Sequence, residues 1–234
     1  MKLSVVLPVY NQADHIGRIV QGYTDALERL GCGFELILVP NGCTDQSVAV
    51  CESLSAGDSR IRTVALNASG WGLAVISGLR CATGDLLCYT NTARTSADLL
   101  ANCVSRALAS GNLVVKVTRI ERCGSRYWGS KLYNIMGRVF FGLRCGDING
   151  TPKLFPAEFG HLRDLRETGD LLDLEFMVCC ARHGYGILEI AAPWGGRHGG
   201  VSTTSLNSAY RMYLGLVKYW WNERWKHGKR SCTN

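Results

Sequence analysis

Asn67–Asp98 reads N-A-S-G-W-G-L-A-V-I-S-G-L-R-C-A-T-G-D-L-L-C-Y-T-N-T-A-R-T-S-A-D. A glycine-rich turn at Gly70 and Gly72 opens a helical stretch, and Gly84-Asp85 closes it. The apolar run Leu86–Tyr89 then passes straight into polar residues. A helix feeding a short buried strand is half of a βαβ unit. In an open parallel sheet, ligands sit just beyond the carboxyl ends of the strands. Thr90–Arg94 is therefore expected in a ligand crevice. No acidic residue occurs from Leu86 to Ala97.

The same rhythm extends to both sides. Leu3–Leu7 is a β-branched-rich strand ended by Pro8, and Asp14–Leu30 places Ile16, Ile19, Val20, Tyr23 and Leu27 on one helical side. Phe34–Val39 is a second strand, ended by Pro40-Asn41-Gly42. Asp45 is placed to cap a helix running towards Leu54. Ile61–Leu66, Leu86–Tyr89 and Leu113–Val117 are further strands. Gly72–Ala82 and Ser96–Ala109 are helices, the latter with Ser96 as its cap. Such alternation implies an α/β fold with a mostly parallel, Rossmann-like sheet flanked by helices, whose strands are apolar because both faces are covered.

After Val117 the rhythm breaks. Arg126–Phe141 has helical periodicity, Gly146–Phe155 reads as irregular, Asp170–His183 as a helix and Gly186–Ala191 as a strand ended by Pro193. Ser205–Trp225 reads as an aromatic-rich amphipathic helix. The expected organisation is one catalytic-sized unit over residues 1–205 and a basic aromatic helix and tail over 206–234.

The totals narrow the classes. Hydrophobic residues at 47% and charged residues at 19% describe a packed core rather than a disordered chain. The charge of +7, from 26 Lys+Arg against 19 Asp+Glu, suits an anionic partner such as a nucleotide, a phosphate or an anionic surface. Eleven cysteines without zinc-type spacing read as reduced thiols, most of them small buried hydrophobes. Leu3–Val9 is short for a secretory leader, and no run approaches the ~20 apolar residues of a membrane span. The expected place is the cytoplasm, including the inner face of a membrane.

Four segments carry candidate chemistry: Pro8–Asn11, Asn41–Asp45, Thr90–Arg94 and Asp147–Phe155, the first three following strands one, two and four. If those strands are neighbours, their ends share one crevice. To these add D-L-E at Asp173–Glu175, G-Y-G-I-L-E-I ending near Glu189, and R-H-G-G-V-S at Arg197–Ser202.

With S-V-V-L-P-V-Y-N-Q at Ser4–Gln12, N-G-C-T-D at Asn41–Asp45 and D-I-N-G-T-P-K-L-F at Asp147–Phe155, the chain resembles family 2 glycosyltransferases of the GT-A fold. The likeness runs to the dolichol- or polyprenol-phosphate sugar transferases and their bacterial relatives, over roughly residues 3–205. It implies transfer, with inversion, of a sugar from a UDP- or GDP-linked donor to a lipid-phosphate or glycan acceptor. It implies a donor pocket of Pro8, Tyr10, Asn11, Asn41, Arg94, Arg197 and Ser202, and catalytic parts for Asp147, Lys153 and Asp173.

Two departures stand out. The acids expected before Gly42 are Pro40 and Asn41, and the family's metal-binding Asp-x-Asp falls on Thr90-Asn91-Thr92. A divalent ion bridging a diphosphate needs hard, preferably anionic oxygens, so no metal ligand is assigned. Three readings stay open: a metal-independent transferase with Arg94 and Lys153 as diphosphate cations, a catalytically silent relative that binds a nucleotide or a protein partner, and recruitment of Mg²⁺ or Mn²⁺ by Asp147 or Asp173. The C-terminal aromatics Tyr210, Tyr213, Tyr219, Trp220, Trp221 and Trp225 alternate with cations. They suit either a peripheral membrane contact or packing on the domain. No nucleic-acid-binding motif is present.

Overall fold

The computed structural model describes residues 1–120, 125–193, 198–199 and 206–230, with the side chains of 125–126, 206–209 and 224–230 left out of the description. The first half alternates β1 (Lys2–Val9), α1 (Ile16–Arg29), β2 (Gly33–Pro40), α2 (Ser47–Gly57), β3 (Ile61–Thr63), α3 (Trp71–Cys81), β4 (Leu86–Tyr89), α4 (Ala97–Ser110) and β5 (Val114–Ile120). There follow α5 (Ser125–Phe141), β6 (Lys153–Pro156), α6 (Leu172–His183), β7 (Ile187–Pro193) and α7 (Leu206–Arg230). The strands form a seven-stranded sheet in the order β3-β2-β1-β4-β6-β5-β7, with only β6 antiparallel to its neighbours.

Side chains alternate across the sheet because a strand has a period of two. Val6, Ile37, Leu87 and Phe155 face a core completed by α3 and α6. Val5, Leu36, Cys88 and Leu154 face a second core completed by α1 and α4. Both faces are covered, and β1 and β2 are buried almost throughout, which is why these strands read as unbroken apolar runs. β1 lies between β2 and β4 in register, Val6 opposite both Ile37 and Tyr89. The ends of strands one, two and four therefore do share one edge.

The local signals differ in how they are realised. Ser96 caps α4, accepting the Leu99 N–H at 3.2 Å. Asp45 does not occupy the cap position of α2, which is Gln46. Its carboxylate accepts the Ser47 N–H at 3.0 Å and the Ala13 N–H at 3.1 Å instead. The third strand ends at Thr63, and beyond it only Leu66 bridges, to Asn41. The clear correction is β6: the stretch read as irregular contains a central strand, paired on both sides. The nine described cysteines are free. Among the described residues no helix is long and apolar enough to cross a membrane.

Candidate active site

Three loops at the carboxyl edge of β1, β2 and β4 are stitched together by side chains. Asn11, with φ of 49°, accepts the Thr44 N–H at 2.9 Å and donates to the Thr44 hydroxyl at 3.2 Å. The Gln12 N–H donates to the Ser47 hydroxyl at 2.8 Å. The Thr92 hydroxyl donates to the Gln12 side-chain oxygen at 2.8 Å and lies 3.2 Å from the Pro8 carbonyl. Loops tied in this way form a rigid rim, as a binding site on a scaffold edge requires.

Asn41 is buried and fully engaged. Its amide donates to the carbonyls of Val9 at 2.8 Å and Val39 at 3.2 Å, and its oxygen accepts the Gly70 N–H at 3.0 Å. It thus joins β1, β2 and the start of α3. The glycine-rich turn that α3 opens from is occupied by protein: the N–H groups of Gly72 and Leu73 donate to the carbonyls of Gly169 and Thr168. A Cβ on Gly72 would lie 2.0 Å from the Glu167 carbonyl oxygen, so glycine is what lets the 167–169 loop come so close. Glu175 fixes that loop from below, accepting the N–H groups of Arg166 and Glu167 at 2.9 and 2.8 Å.

The residues standing in the family's metal position are closed. Thr90 and Thr92 are fully buried. The Thr90 hydroxyl bonds that of Thr95 at 2.7 Å, and the Asn91 oxygen accepts the Ala93 N–H at 3.0 Å. Neutral oxygens already committed to protein partners do not fit a divalent ion. Among the described residues no three His, Cys, Asp or Glu side chains gather as a metal site. Arg94 follows directly, half-buried, its N–H bonded to the Asn91 carbonyl at 3.1 Å. Tyr10 is exposed at the rim and Pro8 is buried beneath it. Arg197 and Ser202 lie outside the described residues. Between them, His198 docks on the same loop, its N–H to the Ala93 carbonyl at 2.9 Å and its Nε2 3.0 Å from the Thr95 carbonyl.

Beneath the rim a row of polar side chains crosses four strands. Tyr89, Lys153, Lys116 and Glu189 are successive partners in register on β4, β6, β5 and β7. Lys153 is fully buried, in contact with the Asp173 carboxylate and 5.4 Å from the centre of the Tyr89 ring. Asp173, in the first turn of α6, also accepts the Tyr89 hydroxyl at 2.9 Å and the Trp71 indole N–H at 3.1 Å. Lys153 therefore does not face the rim but lies under it. Burial, reinforced by the Lys116 ammonium, pushes Lys153 below the usual lysine range against the pull of Asp173. Burial and the Asp173 charge push the Tyr89 phenol well up. Lys116 is fully buried as well and reaches Glu189 at 3.0 Å. Burial acts to raise the Glu189 carboxyl, but the Lys116 ammonium, the Thr118 hydroxyl and the Gly146 N–H hold it below its ordinary range.

Asp147, in the loop between α5 and β6, is buried beside the end of β5, in a forked pair with the Arg119 guanidinium that includes a 2.8 Å contact. Sequence reasoning missed Trp71, Tyr89, Lys116 and Arg119. Lys116 alone left a signal, a cation in the middle of the apolar run Val114–Val117.

The comparisons agree with this architecture. The sequence profile of glycosyl transferase family 2 matches residues 4–165. Glycosyltransferase AglD of Haloferax volcanii is 28% identical over 233 residues, covering 94% of this chain, which spans only 37% of that protein. Among solved structures, mannosyl-3-phosphoglycerate synthase from Rubrobacter xylanophilus superposes with a TM-score of 0.75 at 19% identity, over 98% of this chain and 75% of that one. Glucosyl-3-phosphoglycerate synthase from Mycobacterium tuberculosis, solved with Mn²⁺, UDP and phosphoglyceric acid, superposes at 0.69 and 18% identity, over 92% and 76%. At such identities the structures speak for the fold alone. The profile spans more than half of the chain, and on a fold of this type it makes the protein a member of glycosyl transferase family 2.

Proposed function

We propose that this glycosyltransferase moves a sugar, with inversion, from a UDP- or GDP-linked donor to a lipid-phosphate acceptor, and holds the leaving diphosphate without a divalent ion. The observation that carries the metal-independent part is the closure of Thr90 and Thr92, whose hydroxyls are spent on Thr95, Gln12 and Pro8. With no anionic oxygen in that position, the charge of the diphosphate falls to cations. Arg94, next in the chain and on the rim, is the candidate, since a guanidinium offers paired donors to phosphate oxygens. Tyr10 and Asn11 are assigned to the nucleoside side of the rim. Asn41 has a supporting part, as its amide is committed to backbone, and Lys153 and Asp173 brace the floor.

The choice of acceptor follows from the carboxylates. Asp173 is met by three donors and Asp147 by a forked guanidinium. Neither is placed to take up a proton without giving up a partner. A phosphate oxygen needs no such help: it attacks the anomeric carbon as an anion, the bond to the diphosphate breaks, and the nucleoside diphosphate leaves with the electron pair. A glycan hydroxyl would require Asp147 to act as general base. The proposed setting is the inner face of a membrane.

Calorimetric titration with UDP- and GDP-sugars in EDTA tests the donor half. Binding that persists in EDTA and weakens about tenfold or more in Arg94→Ala supports the reading. Binding that requires Mn²⁺ or Mg²⁺ sinks it, and no binding at all favours a silent relative.

A further inference from the structure

Two helices leave matching apolar stripes in solvent. On α5, Trp128, Leu132, Ile135 and Val139 are 43–72% exposed. On α7, Tyr210, Leu214, Val217 and Trp221 are 41–63% exposed. Both stripes have the same spacing of four, three and four residues, so each is a single line along one helical face.

The helices lie side by side and run in the same direction. The Tyr213 hydroxyl donates to the Gly129 carbonyl at 2.6 Å, Tyr133 meets Tyr213, and further along Phe140 stacks on Trp220 at 5.0 Å. α7 is seated on the domain through Leu216, fully buried, while α5 is seated through Tyr133 and Gly137. With 3.6 residues per turn, the flanks that touch and the sides that are seated leave both stripes turned to the same outer side.

Charge tells what covers this face. α5 carries Arg126, Lys131 and Arg138 and no acid. α7 carries Arg211, Lys218, Arg224, Lys226, Lys229 and Arg230 against the single acid Glu223, which is itself paired with Arg182. The two helices together are therefore +8 when the whole chain is +7, so the rest of the chain is slightly acidic. A second copy on this face would bring like charge against like charge. Single-stranded nucleic acid stacks on aromatics but has no use for a line of Leu, Ile and Val. An anionic bilayer accepts both components: the aliphatic and aromatic stripe in the acyl boundary, the cations at the headgroups. Lys131 is set for this, lying 5.5 Å from the Tyr127 ring centre and 5.3 Å from that of Trp128.

We propose that the paired outer faces of α5 and α7 form a docking surface for anionic lipid bilayers. α5 starts five residues beyond the end of β5, on the edge of the sheet that carries the rim. A bilayer on this face would bring a lipid-borne acceptor to the edge of the sheet on which β4 and β5 both end. The inference deepens the lipid-phosphate reading, yet its test needs neither donor nor acceptor, so failure of one leaves the other standing.

The test is cosedimentation of the chain with vesicles of phosphatidylcholine alone, or mixed with phosphatidylglycerol, at low and high salt. The expected result is partition to the mixed vesicles only, reduced by salt, with a blue shift of tryptophan emission. Trp128→Ser/Trp221→Ser and, separately, Lys131→Glu/Lys218→Glu should each lower the partition coefficient by roughly tenfold or more. These side chains are exposed, so the melting temperature should not move. No partition to mixed vesicles overturns the proposal, as do variants that bind like the parent. So does a dimer, seen by light scattering, that the same variants dissociate.

Discussion

Lys116 and Lys153 stand directly opposite one another across the β5–β6 ladder, both fully buried. Like charges in that relationship repel. The arrangement holds because each ammonium has its own carboxylate on the far side, Glu189 for Lys116 and Asp173 for Lys153. The result is an alternation of acid, base, base and acid under the rim, with Tyr89 and Trp71 closing the end at Asp173.

Removing one acid leaves a buried cation facing another cation. Asp173→Asn should destabilise the fold by about 3–5 kcal/mol, the range for breaking one partner of a buried pair. Lys153→Met/Asp173→Asn should recover part of the loss, because it removes both charges at similar volume and keeps an oxygen for the Tyr89 hydroxyl and the Trp71 N–H. Urea unfolding of the parent and the two variants measures this. If Asp173→Asn is as stable as the parent, the pair is not an interdependent unit. Donor binding retained in the stable double variant would confirm that Lys153 acts from beneath the site and not on the diphosphate.

The loop over the glycine-rich turn gives a second expectation. Gly72→Ala places a methyl group against the Glu167 carbonyl. Overpacking of this kind costs about 1–3 kcal/mol, and the 167–169 segment should become sensitive to limited proteolysis. Glu175→Gln should loosen the same segment less, since an amide oxygen can still accept the Arg166 and Glu167 N–H groups. A Gly72→Ala variant that melts and digests like the parent would show that the loop is free to retreat.

How far the sequence disclosed these features depends on what each residue faces. Leu86–Tyr89 was legible as a strand because Gly84-Asp85 and Thr90 bound an apolar run. β6 was not, because K-L-F-P begins with a lysine and ends with a proline, and its burial comes from two neighbours remote in sequence. The loss of acids at Thr90 and Thr92 could be read directly. Their closure could not, since Gln12 lies 80 residues from Thr92. The Arg119 partner of Asp147, 28 residues away, is likewise a product of tertiary packing.

Glu35 makes stability depend on acid. It accepts the Ser4 hydroxyl at 2.6 Å and the Thr83 N–H and hydroxyl at 2.8 Å, and lies 3.3 Å from the Lys2 ammonium. Burial acts to raise its carboxyl, but these bonds prevail and draw it from 4.5 down to about 2. A carboxyl that is more acidic folded than unfolded contributes stability above its unfolded value, and the contribution is lost as pH falls through the folded value. The chain should therefore lose up to about 3 kcal/mol from this group between pH 4.5 and about 2. Glu35→Gln should be less stable at neutral pH and show a flatter acid limb in that window. Parallel acid limbs for the two proteins would rule out this contribution.

The last expectation concerns the metal. Thr92→Asp restores an acid where the family places one, but it brings a carboxylate against the Pro8 carbonyl and the Gln12 oxygen, which now share the single proton of the Thr92 hydroxyl. Three acceptors and no donor is an unfavourable meeting in a buried place. The single variant should lose about 1–3 kcal/mol. Thr90→Asp/Thr92→Asp should lose more, because it places a second carboxylate in the same buried loop, beside the first. Neither should gain thermal stability from Mn²⁺, since an ion would have to open the Gln12 contact before reaching the new oxygens. A melting curve with and without Mn²⁺ checks both statements. A rise of several degrees on adding Mn²⁺ would mean the loop opens readily, and that Thr90 and Thr92 are only a shallow departure from a metal-binding site.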